Sequence, residues 1–193
     1  MKKLFLALVL LASAPCVFAQ AAQTSVKFKL PVLDKSPMDM AYYPANYPVL
    51  KIQEKTTEPL MARVIYSRPQ KDNRTIFGDL IEYNTIWRLG ANEATEIEFF
   101  KDVKVGGKKL AKGRYTMYAI PTASQWTVIF NKDTDTWGAF KYDDKKDVLR
   151  VSVPVQKAAE VAEAFTMSFT KSASGADLLI AWDAVSVSLP ITF

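Results

Sequence analysis

Residues 164–170 read AFTMSFT, and their alternation decides the fold. Phe165, Met167 and Phe169 fall on one side of an extended chain, with Thr166, Ser168 and Thr170 on the other. A helix would scatter these residues around its axis. The same two-residue period recurs along the chain. TEIEFF (95–100) turns Ile97 and Phe99 inward and Glu96 and Glu98 outward. RYTMYAI (114–120) groups Tyr115, Met117 and Ala119. QWTVIFN (125–131) groups Trp126, Val128 and Phe130. DVLRVSV (147–153) groups Leu149, Val151 and Val153. MARVIY (61–66), ADLLIAW (176–182) and VSVSLPI (185–191) complete the set. Gly, Pro, Asn and Asp punctuate these runs, and Gly106-Gly107 marks a two-residue hairpin.

The expectation is an all-β protein, an antiparallel β-sandwich of jelly-roll or immunoglobulin-like kind with at most one or two short helices. The alanine-rich VQKAAEVAEAF (155–165) is the helical candidate. Residues 20–60 carry prolines at 31, 37, 44, 48 and 59, which excludes a long helix or a central strand there. They are expected to form a proline- and tyrosine-rich arm packing on a domain of residues 61–193. Trp126 and Trp182 belong to the core of that domain.

The first 19 residues have the form of a leader: Met1-Lys2-Lys3, then LFLALVLLASA, then VFA ending at Ala19. That apolar run is shorter than a membrane span, and small residues precede the cut. Cleavage after Ala19 is expected, with export to the periplasm or cell surface. Acylation at Cys16 is disfavoured because Pro15 precedes it. The net charge drops from +5 to +3 once Lys2 and Lys3 are gone. The mature chain keeps no cysteine, so it has no disulfide, and it has no second apolar run long enough to span a membrane. Its basic residues are dispersed, which argues against a nucleic-acid partner.

The 193 residues include no histidine. That removes Ser-His-Asp and Cys-His catalysis and histidine-ligated zinc, and leaves carboxylate, lysine or tyrosine for acid–base work. No phosphate loop and no nucleophile elbow is present. NKDTDTWG (131–138) alternates Asn131, Asp133 and Asp135 as a calcium loop does. It has Thr136 and Tyr142 where such a loop needs glycine and glutamate, so it reads as a polar connection. No cofactor and no metal is expected.

TIWRLGANEATEIEFF (85–100) gathers Trp87, Arg88, Gly90, Asn92 and Glu93 within seven positions, and Arg68 and Arg74 precede it. One reading is a ligand site, in which Arg68, Arg74, Arg88, Asn92 and Glu93 hold a small polar group and Trp87 or Trp137 supplies an aromatic wall. The other is a latch, in which the arginines satisfy loop carbonyls and Glu93 neutralises one of them. Glu82 and Glu93 could be assembled as a carboxylate pair for glycoside hydrolysis, although nothing in their spacing demands it.

The stretches VIYSRPQKDNRTIFGDLIEYNTIWRLGANEATEIEFFKDVKVGGKKLAKGRYTMYAIP and WTVIFNKDTDTWGAFKYDDKKDVLRVSVP, with a final AW…VSLPI, closely resemble the DUF2911 family over roughly residues 37–193. This is a domain of unknown function common in exported proteins of the Bacteroidetes. The resemblance supports export and a β-rich fold, and carries no functional residue. It departs at Asn73, where the family favours glycine, and at Leu89, where it favours threonine. Asparagine also tolerates the left-handed backbone.

The reading that follows is an exported binding or envelope-associated module, not an enzyme, for a carbohydrate or an anionic group. The alternatives are a hydrolase that works through carboxylates without histidine, and a structural or interaction protein whose Tyr42, Tyr43 and Tyr47 dock on a partner. The sequence leaves the oligomeric state open.

Overall fold

The computed structural model describes residues 27–193, so the leader expected at 1–19 lies outside the described residues. Residues 27–33 carry no regular structure, and Asp34–Phe193 form a compact unit. That unit contains strands β1 (Met38–Tyr43), β2 (Ala62–Ser67), β3 (Glu96–Phe99), β4 (Val103–Val105), β5 (Lys108–Leu110), β6 (Gly113–Pro121), β7 (Gln125–Asn131), β8 (Asp147–Ser172) and β9 (Gly175–Thr192). They pair into one nine-stranded sheet in the order β1-β2-β3-β6-β7-β8-β9-β4-β5. Every pairing is antiparallel. The sheet is thus mainly β and antiparallel as expected, and it forms one open ladder. Among the described residues, helix is limited to α1 (Tyr47–Ile52) and a 3₁₀ turn at Asp144–Lys146, and no helix is long and apolar enough to cross a membrane.

The alternation read from the sequence becomes the core. Ile97, Met117, Ala119, Trp126, Val128, Phe130 and Phe165 have no exposed surface. β8 pairs with β7 through Asp147–Pro154 and with β9 from Val155 onward. Its second half also meets the far end of the order, because an isolated bridge joins Gln70, just past β2, to Ala164. Rings from separate strands and loops then close on each other. Trp87 sits edge-on to Phe77, Trp126 and Phe165, and stacks with Trp182 at 6.2 Å.

Residues 155–165, expected to be helical, lie inside β8 as extended chain. Alanine's helical advantage is a few tenths of a kcal/mol per residue, a weak preference that tertiary pairing overrides. Here the Phe165 amide donates to Pro69 O at 2.9 Å and the Lys71 amide to Glu163 O at 2.7 Å. The stretch keeps a trace of the conflict, since the register shifts between Lys157 and Ala162 and again between Ala162 and Thr166. The two expected strands at 176–182 and 185–191 are one strand, β9, which passes through Asp183 at φ 54°.

Part of the proline-rich segment is also sheet. β1 is an edge strand on β2, a position that tolerates nearby proline. Asn73 adopts φ 56°, the left-handed geometry for which asparagine is a fair substitute for glycine.

Gly106 and Gly107 form the two-residue turn between β4 and β5, with φ 55° and 79°. A Cβ on Gly106 would lie 2.4 Å from Val151 Cγ1, whereas one on Gly107 would meet open space. Gly106→Ala is expected to cost about 2–4 kcal/mol, from left-handed strain plus overpacking. Gly107→Asn is expected to cost less than about 1 kcal/mol, because asparagine accepts the angle. Urea denaturation of the two variants checks the difference.

Candidate functional site

The sheet has a second apolar layer on its other face. Tyr118 and Ile129, paired in register on β6 and β7, are buried there with Ala94 against Ile86, Ile120, Ala139 and Tyr142. The cover over this layer is the connection 132–146 between β7 and β8. It begins where the ladder shifts, between Phe130 and Asn131. Asn131 is buried and uses its whole amide on this connection. Its Nδ2 donates to Asp143 O at 2.9 Å and to Asp147 Oδ1 at 2.8 Å, and its Oδ1 accepts from the Asp133 amide at 2.8 Å.

Further along, the Tyr142 hydroxyl donates to Asp147 Oδ2 at 2.6 Å and accepts from Arg150 Nη2 at 2.8 Å. The Tyr142 ring meets Tyr118 edge-on at 5.0 Å. Desolvation raises the pKa of both phenols, and the Asp147 carboxylate raises that of Tyr142 further. The Tyr118 hydroxyl hydrogen-bonds Thr136 Oγ1 at 3.1 Å. A short ladder joins this connection to the segment singled out in the sequence. Glu93 bridges Trp137, the Ala94 amide donates to Thr136 O at 3.0 Å, and the Gly138 amide donates to Asn92 O at 2.9 Å. Asn92 turns the chain at φ 58°.

These constraints leave a recess of about 420 Å³ between the connection and the sheet, lined chiefly by Tyr118, Asp133, Asp135, Trp137, Phe140 and Lys141. Trp137 is 62% exposed and Phe140 is 84% exposed. Leaving two large rings in water forgoes about 1.5–3 kcal/mol of burial for each. Gly138, at φ 68°, lies against the Phe140 ring, where a Cβ would fall 2.6 Å from Phe140 Cε2. Most nearby carboxylates are tied to cations: Asp133 to Lys146 at 2.9 Å, and Asp135 and Glu96 to Arg114 at 2.5 and 3.4 Å. The Glu96 Oε1 also accepts from the Asp135 amide at 2.6 Å, which fixes the loop against the sheet.

Of the residues singled out in the sequence, the structure brings Asn92, Glu93 and Trp137 together. The three arginines stay apart. Arg68 donates to Phe165 O at 3.2 Å and Thr166 Oγ1 at 3.0 Å and pairs with Asp39 at 3.0 Å, which is latch geometry. Arg74 donates to the carbonyls of Lys71 and Gln70 in its own loop. The Arg88 guanidinium has no hydrogen-bond or ion-pair partner among the described residues, Glu93 included. Its Nε is buried without a partner, and desolvation lowers its pKa. Trp87, proposed as an aromatic wall, is 4% exposed and stands in the central ring cluster, with Nε1 donating to Gly90 O at 3.3 Å. Next to Arg88, Leu89 is fully buried at φ 54°, a strained backbone held by the burial of its side chain.

Sequence reasoning passed over Tyr118, Phe140 and Lys141, and read Asp133, Asp135 and Tyr142 only as parts of a polar connection. The available signal was the aromatic triplet Trp137, Phe140 and Tyr142 inside a run of turn-forming residues.

The chain belongs to the DUF2911 family, described as proteins of unknown function, which it matches over residues 48–191. No curated protein and no solved structure matches it.

Arg88→Met is expected to leave the unfolding free energy unchanged within about 0.5 kcal/mol or to raise it, because the native cation is partly desolvated and unpaired. Urea denaturation at neutral pH checks this, and a large loss would reveal a partner for Arg88. A second expectation concerns Tyr142. A phenol whose folded pKa is raised above the unfolded 10.0 stabilises the fold below that value, and the contribution is lost as pH rises through the folded pKa. Tyr142→Phe is expected to cost about 1.5 kcal/mol at pH 7. The gap between the two proteins should narrow above pH 10, and denaturation curves at pH 7, 10 and 11 check this.

Proposed function

We propose that this DUF2911 chain is an exported, non-enzymatic module that binds a carbohydrate, and that the recess beside Trp137 is its site. The observation that carries the reading is the pair of exposed rings, Trp137 and Phe140, on a loop fastened to the sheet through Asn131 and Tyr142. Flat, preorganised aromatic surface suits the apolar face of a sugar ring, and it costs little side-chain entropy on binding. Thr136, Tyr118 and the spare carboxylate oxygens of Asp133 and Asp135 offer acceptors for sugar hydroxyls.

The sign of the charge chooses between a neutral and an anionic ligand. Asp133 and Asp135 are paired with Lys146 and Arg114, Glu96 shares Arg114, and Lys141 is a further cation on the lining, so the recess is close to neutral, which suits an uncharged ligand. The ion pairs favour binding over hydrolysis. A general acid for glycoside cleavage needs a carboxyl held protonated, and these carboxylates lie beside Lys146 and Arg114. Export rests on the leader pattern at residues 1–19.

Titration calorimetry of the chain from Gln20 onward with oligomers of glucose and of N-acetylglucosamine tests the reading. Saturable binding is expected. Trp137→Ala should weaken it at least tenfold, as loss of a central aromatic anchor does. The same variant should change stability by less than about 0.5 kcal/mol, because the ring is exposed. Absence of binding, or binding indifferent to Trp137, overturns the proposal.

A further inference from the structure

A second recess, of about 270 Å³, lies against Met38, Ile65, Glu93, Glu96, Asp135 and Thr136. It shares Asp135 and Thr136 with the recess beside Trp137. Register shows how the two are related. Ile65 pairs with Glu96, Glu96 with Thr116, and Thr116 with Asn131, so these residues form one row across β2, β3, β6 and β7. Tyr118, under the first recess, lies two residues beyond Thr116 on the same face of β6. That step is roughly 7 Å along the strand. The floors of the two recesses are therefore neighbouring rows of one sheet face, and the 135–136 segment stands between them. The smaller recess falls below the usual size of an independent small-molecule site and fits an annex to its neighbour. Its lining pairs an apolar patch, Met38 and Ile65, with the carboxylates of Glu93 and Glu96, the same mixture found beside Trp137.

We infer that the two recesses are consecutive subsites of one groove and that the ligand is a linear oligosaccharide, with one unit against Trp137 and Phe140 and the next against Ile65 and Glu93. The inference rests on the saccharide reading and adds to it a chain length and a direction across the sheet, from the β7–β8 connection toward β1. Glu93 holds the hinge between the subsites. Its backbone bridges Trp137 in the first, while its exposed side chain lines the second. A linked pair of subsites gains affinity because the second contact is made by a ligand already held by the first.

Calorimetric titration of the wild-type chain and Glu93→Ala with glucose, N-acetylglucosamine and their β-1,4-linked oligomers of two to six units tests it. Affinity is expected to rise at least tenfold from the monosaccharide to the trisaccharide. Glu93→Ala should weaken the trisaccharide about fivefold and leave the monosaccharide within twofold. Met38→Ala, at an exposed position on β1, should act in the same direction and does not depend on the Glu93 backbone. Affinity that is flat with length, or variants that weaken every length equally, overturns the second subsite while leaving the Trp137 site standing. Failure of every length to bind overturns both.

Discussion

β8 is the strand on which the sheet depends. Its first residues pair with β7 and the rest with β9, so the order passes from one part of the sheet to the other within a single unbroken segment. Phe165, Met167 and Phe169 must keep pointing inward throughout, and each contributes about 1.5–3 kcal/mol by burial. A one-residue slip would turn all three to water. Phe165 touches Tyr66, Trp87 and Trp182, which ties β2, the 85–95 loop and β9 to the same point.

The consequence for function lies on the opposite face. β7 and β8 are adjacent, and their ladder shifts only between Phe130 and Asn131, so the fifteen-residue connection between them has fixed ends, and it lies over Tyr118 and Ile129. Asn131 is the device that makes this connection a structure instead of a mobile loop. It is a buried polar residue whose donors and acceptor are all used within the connection or at its end, so it is fully satisfied only while the loop stays in place. Trp137 and Phe140 are then held out in water on a rigid support, an arrangement with a burial cost that folding alone does not explain.

The strands were legible because a period of two depends only on which residues are apolar. Trp126, Val128 and Phe130 could be assigned to one face without any partner being known. The helix expected at 155–165 shows where that legibility ends. Alanine carries little face information, so a weak propensity filled the gap until Gln70 and β9 supplied pairing from far along the chain. β1 was hidden for a related reason, since proline forbids a central strand and says little about an edge. At the site, Asn92, Glu93 and Trp137 were legible as residue types suited to a loop site, and they do meet. The arginines were chosen by chemistry alone. Whether they converge depends on which acceptors lie nearest each of them: Arg68 reaches Phe165 and Thr166 on β8, and Arg74 bonds the carbonyls of its own loop. Phe140 and Tyr118 were missed because neither is unusual until the connection 132–146 is laid across the sheet.

Trp137 is the one exposed tryptophan among the described residues; Trp87, Trp126 and Trp182 are buried. Acrylamide quenching of tryptophan fluorescence therefore reports on the proposed site almost alone. The decisive measurement is that quenching with and without a saturating β-1,4-linked hexasaccharide of N-acetylglucosamine or glucose. The accessible fraction is expected to disappear when the sugar is bound and to be already absent in Trp137→Phe. Quenching of the wild-type protein unchanged by either sugar would contradict it.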